Sequence, residues 1–186
     1  YVLDSVNEFQ KKRYQSDKIT VPVSTNLSWM DFYDETIMNW LERKCADTSI
    51  PSGLSRMEIT ETSYAAIEAD RSATLEALRE AGILLLLDDF GSGYSSFGML
   101  QNYNFDIMKI DMSFVRQIET NTKTRSIIRF IIEMAHTMDI KIIAEGAETK
   151  EQVEFLRDNG CDYIQGYYFY KPMPEEEFVK LLDAGR

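Results

Sequence analysis

Two aspartates in succession, Asp88 and Asp89, close the apolar run Ile83 to Leu87 and stand just before the glycine-rich stretch Gly91-Ser92-Gly93-Tyr94-Ser95-Ser96. Further along, Lys109 sits alone between Met108 and Ile110, and Glu58 sits alone between Met57 and Ile59. Asn26, Glu61, Asp111, Glu145, Glu148 and Gln165 lie in or beside other short apolar runs. Gathered in one place, these side chains offer carboxylate and amide oxygens and one ammonium. All-oxygen ligands select the hard divalent cations Mg2+, Mn2+ or Ca2+, and the lack of any His or Cys cluster argues against zinc. So many acids would destabilise a fold unless cations neutralised them. An adjacent Asp pair can serve two metals about 3.5–4 Å apart, the arrangement that activates a water and stabilises the leaving oxygen of a phosphodiester. The competing role for Asp89 is local, as a cap on the glycine-rich turn that follows it.

The elements that must position these residues alternate strand-length apolar runs with longer stretches of helical period. An amphipathic stretch, Val2 to Tyr14, opens the chain. Expected strands are Ile19 to Asn26, Ser55 to Thr60, Ile83 to Asp88, Ile107 to Asp111, Ile140 to Glu145 and Tyr163 to Phe169. Expected helices are Phe32 to Lys44, Ala65 to Ala81, Ser96 to Asn102, Thr124 to Met138, Lys150 to Asn159 and Glu175 to Ala184. Gly82 and Gly160 follow helical runs and precede strands, where a left-handed residue ends a helix at little cost. Thr149 with Gln152 has the form of a capping box, and Pro174 before three glutamates suits a first helical turn. Repeated βα units mean a parallel sheet, either open and doubly wound or closed as a barrel. Polar residues at almost every strand end favour the TIM-type (β/α)8 barrel, which collects a site from many strands around one mouth. Alternation along Met57-Glu58-Ile59 and Met108-Lys109-Ile110 turns the charged side chain inward and its apolar neighbours toward the helices. Six strands are counted where the barrel needs eight. The chain is therefore expected to be N-terminally incomplete, its residues 1–186 forming one domain without its first one or two βα units.

Composition narrows the function classes. The 186 residues are 44% hydrophobic and 27% charged, which fits a folded globular chain. The longest apolar run is far short of the ~20 residues of a membrane span. A net charge of −11 repels polynucleotides and anionic membranes, so neither is an expected partner. Cys45 and Cys161 match no metal-finger spacing, and a reduced cytoplasmic compartment is the default, including the cytoplasmic part of a membrane-anchored parent. His136 lies inside a helical run and reads as structural. The loop Gly91 to Ser96 lacks a P-loop lysine and reads as a hinge or lid. Tyr167 to Tyr170 would either stack on a base or fill a barrel wall.

Six segments, taken in order, resemble the EAL domain, the bacterial cyclic di-GMP phosphodiesterase family. They are Asn26-Leu27-Ser28, Glu58-Ile59-Thr60-Glu61, Asp88 through Ser96, Lys109-Ile110-Asp111, Glu145-Gly146-Ala147-Glu148 and Gln165-Gly166-Tyr167. The resemblance implies hydrolysis of cyclic di-GMP to linear 5'-pGpG with Mg2+ or Mn2+, two per site, in second-messenger signalling. It also implies roles. Asn26, Glu58 and Asp88 resemble ligands of a first metal, with Asp88 bridging to a second that Asp89 also holds. Lys109 resembles the lysine at the nucleophilic water and Glu145 the general base or water-linked ligand. Glu61 resembles the anchor of the loop from Asp89 to Ser96, while Asp111, Glu148 and Gln165 resemble supporting residues. Ser92 stands where the family usually has Thr, and Ala147 where Val is common. The Glu-Ala-Leu signature is not among these residues, so weak or absent turnover is expected from this stretch alone. Family analogy adds a homodimer and a neighbouring diguanylate cyclase or sensor domain. The competing function is a cyclic di-GMP sensor that binds without cleaving.

Overall fold

A computed structural model describes residues 2–46, 49–60, 72–91 and 96–185. They form two compact units: one of residues 2–46, 49–59, 72–85 and 172–185, the other of residue 60, 86–91 and 96–171.

In the first unit, helix α1 (Val2–Gln15) packs beside strand β1 (Val23–Asn26), which pairs in parallel with β2 (Ser55–Thr60) in the register Val23↔Ser55 to Asn26↔Glu58. β1 starts four residues later than its sequence suggests, and two buried polar side chains of α1 show why. Gln10 Nε2 donates to the carbonyls of Val21 (3.3 Å) and Leu54 (2.7 Å), and Arg13 Nε donates to the carbonyl of Ile19 (2.8 Å). Side chains thus take carbonyls that a longer ladder would use, and Pro22 has no N–H to offer one. Arg13 also meets Asp183 Oδ1 at 2.7 Å, tying α1 to α8 (Glu175–Asp183). Between β1 and β2, a 3-10 turn (Trp29–Tyr33) occupies the start of the expected helix, and α2 runs over Glu35–Ala46. Asp34 sets that boundary, because its Oδ1 accepts from the N–H groups of Thr36 (2.7 Å) and Ile37 (3.4 Å). Those two backbone bonds hold its carboxyl below the ordinary value. Helix α3 spans Ser72–Glu80, and positions 65–71 of the expected helix lie outside the described residues.

The second unit carries β3 (Leu84–Phe90) from Leu86 onward, then β4 (Ile107–Ile110), β5 (Lys141–Ala144) and β6 (Tyr163–Ile164). Every pairing is parallel and follows chain order, with Leu86↔Ile107, Met108↔Ile142 and Ala144↔Ile164 in register. A doubly wound sheet would reverse order at a switch point; these strands do not reverse. Helices α4 (Ser96–Asn102), α5 (Met112–Arg116), α6 (Thr122–Thr137) and α7 (Lys150–Asp158) fill the connections. This is the repeating parallel βα wall of a TIM-type (β/α)8 barrel, the expected fold class. Leu86, Leu87, Met108, Ile110, Ile142 and Ala144 are fully buried, covered by faces such as Ile128, Ile132 and Ala135 of α6. Gly82 and Gly160 adopt φ of 81° and 82°, the left-handed stops their positions suggest. The Thr149–Gln152 capping box forms at the start of α7.

The aromatic run departs from expectation. β6 ends at Ile164, and Tyr167, Tyr168, Phe169 and Tyr170 are 43–57% exposed in a turn instead of filling a wall. The amides of Phe169 and Tyr170 both bond the Gly166 carbonyl, which curls the chain out of the sheet. Among the described residues, no helix is long and apolar enough to cross a membrane.

Candidate functional site

Consecutive side chains on a regular strand point to opposite faces, so Asp88 and Asp89 could not serve one site on an ideal β3. The strand solves this with a bulge. Leu87 pairs with Met108 and Phe90 with Ile110, so two aspartates on β3 oppose the single Lys109 on β4. Asp89 takes the left-handed conformation, φ 56°, which aspartate tolerates better than most residues, and its N–H donates to Asp88 Oδ1 at 2.9 Å. The result is that Asp88, Asp89 and Glu145 present oxygens within 4.8 Å of one another. Backbone strain of this kind, of order 1–3 kcal/mol, is characteristic of functional sites.

Lys109 closes the cluster. It is 5% exposed, and its Nζ lies 2.9 Å from Asp88 Oδ1 and 2.8 Å from Glu145 Oε1. Glu145 sits one residue beyond β5 and is brought there by its own N–H, which donates to the Ile110 carbonyl at 3.1 Å. Three carboxylates and one ammonium thus meet in a place largely shielded from water. Carboxylate oxygens gathered this closely suit a hard divalent cation. The residues present therefore fit such a cation at the Asp88, Asp89 and Glu145 oxygens.

The remaining residues singled out by sequence are placed as follows. Asn26, the last residue of β1, is the register partner of Glu58 within β2, and the Leu27 N–H donates to the Glu58 carbonyl at 2.8 Å. Glu61 and loop residues 92–95 lie outside the described residues. Asp111 caps α5, its Oδ1 accepting from the Ser113 N–H at 2.9 Å. Glu148 reaches outward to Arg116, 3.8 Å away. Gln165 ties two strand ends together through its backbone: its N–H donates to the Ala144 carbonyl at 2.8 Å and its carbonyl accepts from Ala147 at 3.1 Å, while its side chain is exposed. His136 pairs with Asp162 at 2.9 Å, the structural role its helical setting suggests. In Asp162, burial pushes the carboxyl up, but hydrogen bonds from His136 and the Ile142 amide, with nearby positive charge, win and hold it below its ordinary value.

Sequence reasoning missed the packing of the Glu145 turn. Helix α5 escaped because five residues are too few for a helical period to show. Its Met112 lies against Gly146 so closely that a Cβ there would come within 2.6 Å of the Met112 Cβ. Gly166 is tighter still, with an added Cβ 2.1 Å from the Ala147 carbonyl oxygen. The turns after β5 and β6 are thus interlocked backbone to backbone.

Comparison with known proteins agrees with this architecture. The EAL domain pattern matches residues 1–172. The crystal structure of the EAL domain of Mycobacterium smegmatis DcpA superposes with a TM-score of 0.88 at 27% identity, covering 100% of this chain and 83% of that one. Klebsiella pneumoniae BlrP1, solved as a manganese and cyclic di-GMP complex, gives a TM-score of 0.70 at 28% identity over 79% of this chain and 38% of that one. The cyclic di-GMP phosphodiesterase NbdA of Pseudomonas aeruginosa is 43% identical over 112 residues, 60% of this chain and 14% of its own length. The chain spans about a fifth of the length of such curated relatives, between 14% and 25% for three of them. With the EAL domain pattern matched over residues 1–172, nearly all its length, the chain belongs to the EAL domain family.

Proposed function

We propose that the domain built by these residues hydrolyses cyclic di-GMP to linear 5'-pGpG. The observation that carries the reading is the buried Lys109 ammonium spanning Asp88 and Glu145, with Asp89 turned into the same oxygen cluster by the bulge. Two Mg2+ or Mn2+ ions, when bound, screen the phosphate charge and make water a nucleophile near neutral pH. The chain's own groups do the rest. Asp88 and Asp89 would hold the cations through their carboxylate oxygens, with Glu145 completing the metal site through the water it deprotonates. The Glu145 carboxylate takes the proton of the attacking water. Lys109 Nζ donates to that water and adds a fixed positive charge as negative charge builds on the phosphoryl oxygens. Water oxygen bonds to phosphorus, the P–O3' bond breaks, and the 3' oxygen takes a proton from solvent water to leave as a hydroxyl, while Glu145 returns its proton to solvent. Asp111 and Glu148 support the site from α5 and the turn after β5, and Gln165 from the end of β6.

Incubating the full-length protein with cyclic di-GMP and Mn2+, and separating the nucleotides by chromatography, tests the proposal. Linear pGpG is the expected product. Tight nucleotide binding by calorimetry with no product at any metal concentration would overturn hydrolysis and make the domain a sensor.

A further inference from the structure

The carboxylate of Glu145 is only as well placed as the turn that carries it. In the segment 145–149, the N–H of Glu145 donates to the Ile110 carbonyl and that of Ala147 to the Gln165 carbonyl, both at 3.1 Å. The next two N–H groups, of Glu148 and Thr149, both go to one atom: Gln152 Oε1, at 2.7 and 3.1 Å. Gln152 is itself 5% exposed, and its N–H returns to Thr149 Oγ1 at 3.3 Å. The Thr149 hydroxyl donates in turn to Glu119. A capping box ordinarily serves its own helix. Here its side-chain acceptor also fixes the far end of the turn whose near end is Glu145, while Ala147 in the middle is fully buried.

We propose that Gln152 is a positioning residue for the metal site, holding Glu145 against Lys109 and the Asp88–Asp89 pair through the backbone of residues 145–149. This rests on the metal-binding reading of that cluster. Partners that orient ligands from behind commonly change metal affinity ~10- to 100-fold when removed.

The test compares Mn2+ affinity, read by electron paramagnetic resonance of free Mn2+, in wild type, Gln152→Met, Gln152→Glu and a control, Asn121→Ala. Methionine keeps the buried volume and deletes the acceptor; glutamate keeps an acceptor oxygen in the same place. Asn121 does the same local job at α6, its Oδ1 accepting from the N–H groups of Lys123 (3.0 Å) and Thr124 (3.3 Å), neither of which belongs to the segment 145–149. Gln152→Met should weaken Mn2+ binding ~10-fold or more, Gln152→Glu should restore it, and Asn121→Ala should lower the melting temperature while leaving Mn2+ affinity at the wild-type level. Wild-type affinity in Gln152→Met, or an equal loss in Asn121→Ala, would overturn the proposal. A wild type that binds no Mn2+ would sink the metal reading and this inference with it. A measurement needing no variant stands beside these. Coupling is reciprocal, so Mn2+ should slow hydrogen exchange at the Glu148 and Thr149 amides and leave Lys123 and Thr124 unchanged. No slowing at Glu148 and Thr149 would likewise overturn it.

Discussion

Lys109→Met is the most informative single change in the site, because it separates the cost of the acidic cluster from its use. The ammonium is 5% exposed and makes two ion pairs under 3 Å, with Asp88 and Glu145 side chains only 12% and 16% exposed. Methionine keeps most of the volume on a strand whose other residues are all buried, so the packing loss is small. What remains is a carboxylate cluster without the ammonium that bridges Asp88 and Glu145. Removing one partner of a buried pair costs about 3–5 kcal/mol. For a domain of this length each kcal/mol moves the melting temperature by about 2–4 °C, so a fall of ~6–20 °C is expected in chelator. Mn2+ at millimolar concentration should return a large part of that fall, since a divalent cation supplies the missing charge compensation and binding to the folded state stabilises it. Wild type should gain less from the same addition, because Lys109 already neutralises one charge. Differential scanning fluorimetry with and without Mn2+ measures all four values. A fall below about 3 °C in chelator, or a fall that Mn2+ leaves unchanged, would show that the cluster is not held together by charge balance and would refute the reasoning.

Other outcomes follow from geometry away from Lys109. Gly166→Ala puts a Cβ 2.1 Å from the Ala147 carbonyl oxygen and 2.4 Å from its nitrogen, both backbone atoms that cannot step aside. A loss at or above ~3 kcal/mol in urea unfolding is expected, the top of the overpacking range, and a midpoint within error of wild type would show that the two turns separate freely. Burial pushes the Cys161 thiol from 9.0 to about 11, which leaves about a hundredth of the thiolate that an unperturbed thiol has at pH 8. Iodoacetamide labelling followed by peptide mass spectrometry should therefore be ~100-fold slower in the folded protein than in urea. Asp183 is held below its ordinary value of 3.8 chiefly by the Arg13 hydrogen bond. A depressed carboxylate contributes stability above its unfolded value and loses it as pH falls through the folded one. The advantage of wild type over Asp183→Asn should then be flat from pH 7 to about 4 and shrink below it; an advantage that grew toward acid would contradict the assignment.

The parts of this molecule that were legible in its sequence are those where one strand or helix decides the matter alone. Alternation along Met108-Lys109-Ile110 is enough to turn Lys109 away from its apolar neighbours, and the buried ion pairs are the consequence. The glycine stops at Gly82 and Gly160 and the start of α7 at Thr149 are likewise local, and the parallel barrel wall follows from repeated βα units. What the sequence concealed depends on two elements at once. The bulge at Asp88 and Asp89 is a mismatch of count between β3 and β4, invisible from either strand. β1 begins late because Gln10 and Arg13, from another helix, claim the carbonyls before it. The aromatic residues after Gly166 have strand propensity, yet Gly166 and Ala147 meet so closely that the chain must turn there. Gln152 joins both classes. Its capping motif is readable from four residues, but its importance is set by what stands at the other end of the turn, and that end is Glu145. A local motif therefore acquires its functional weight from the tertiary neighbour it holds in place, which is why a side chain seven residues from the acid, with no atom in the cluster, is expected to govern its affinity for metal.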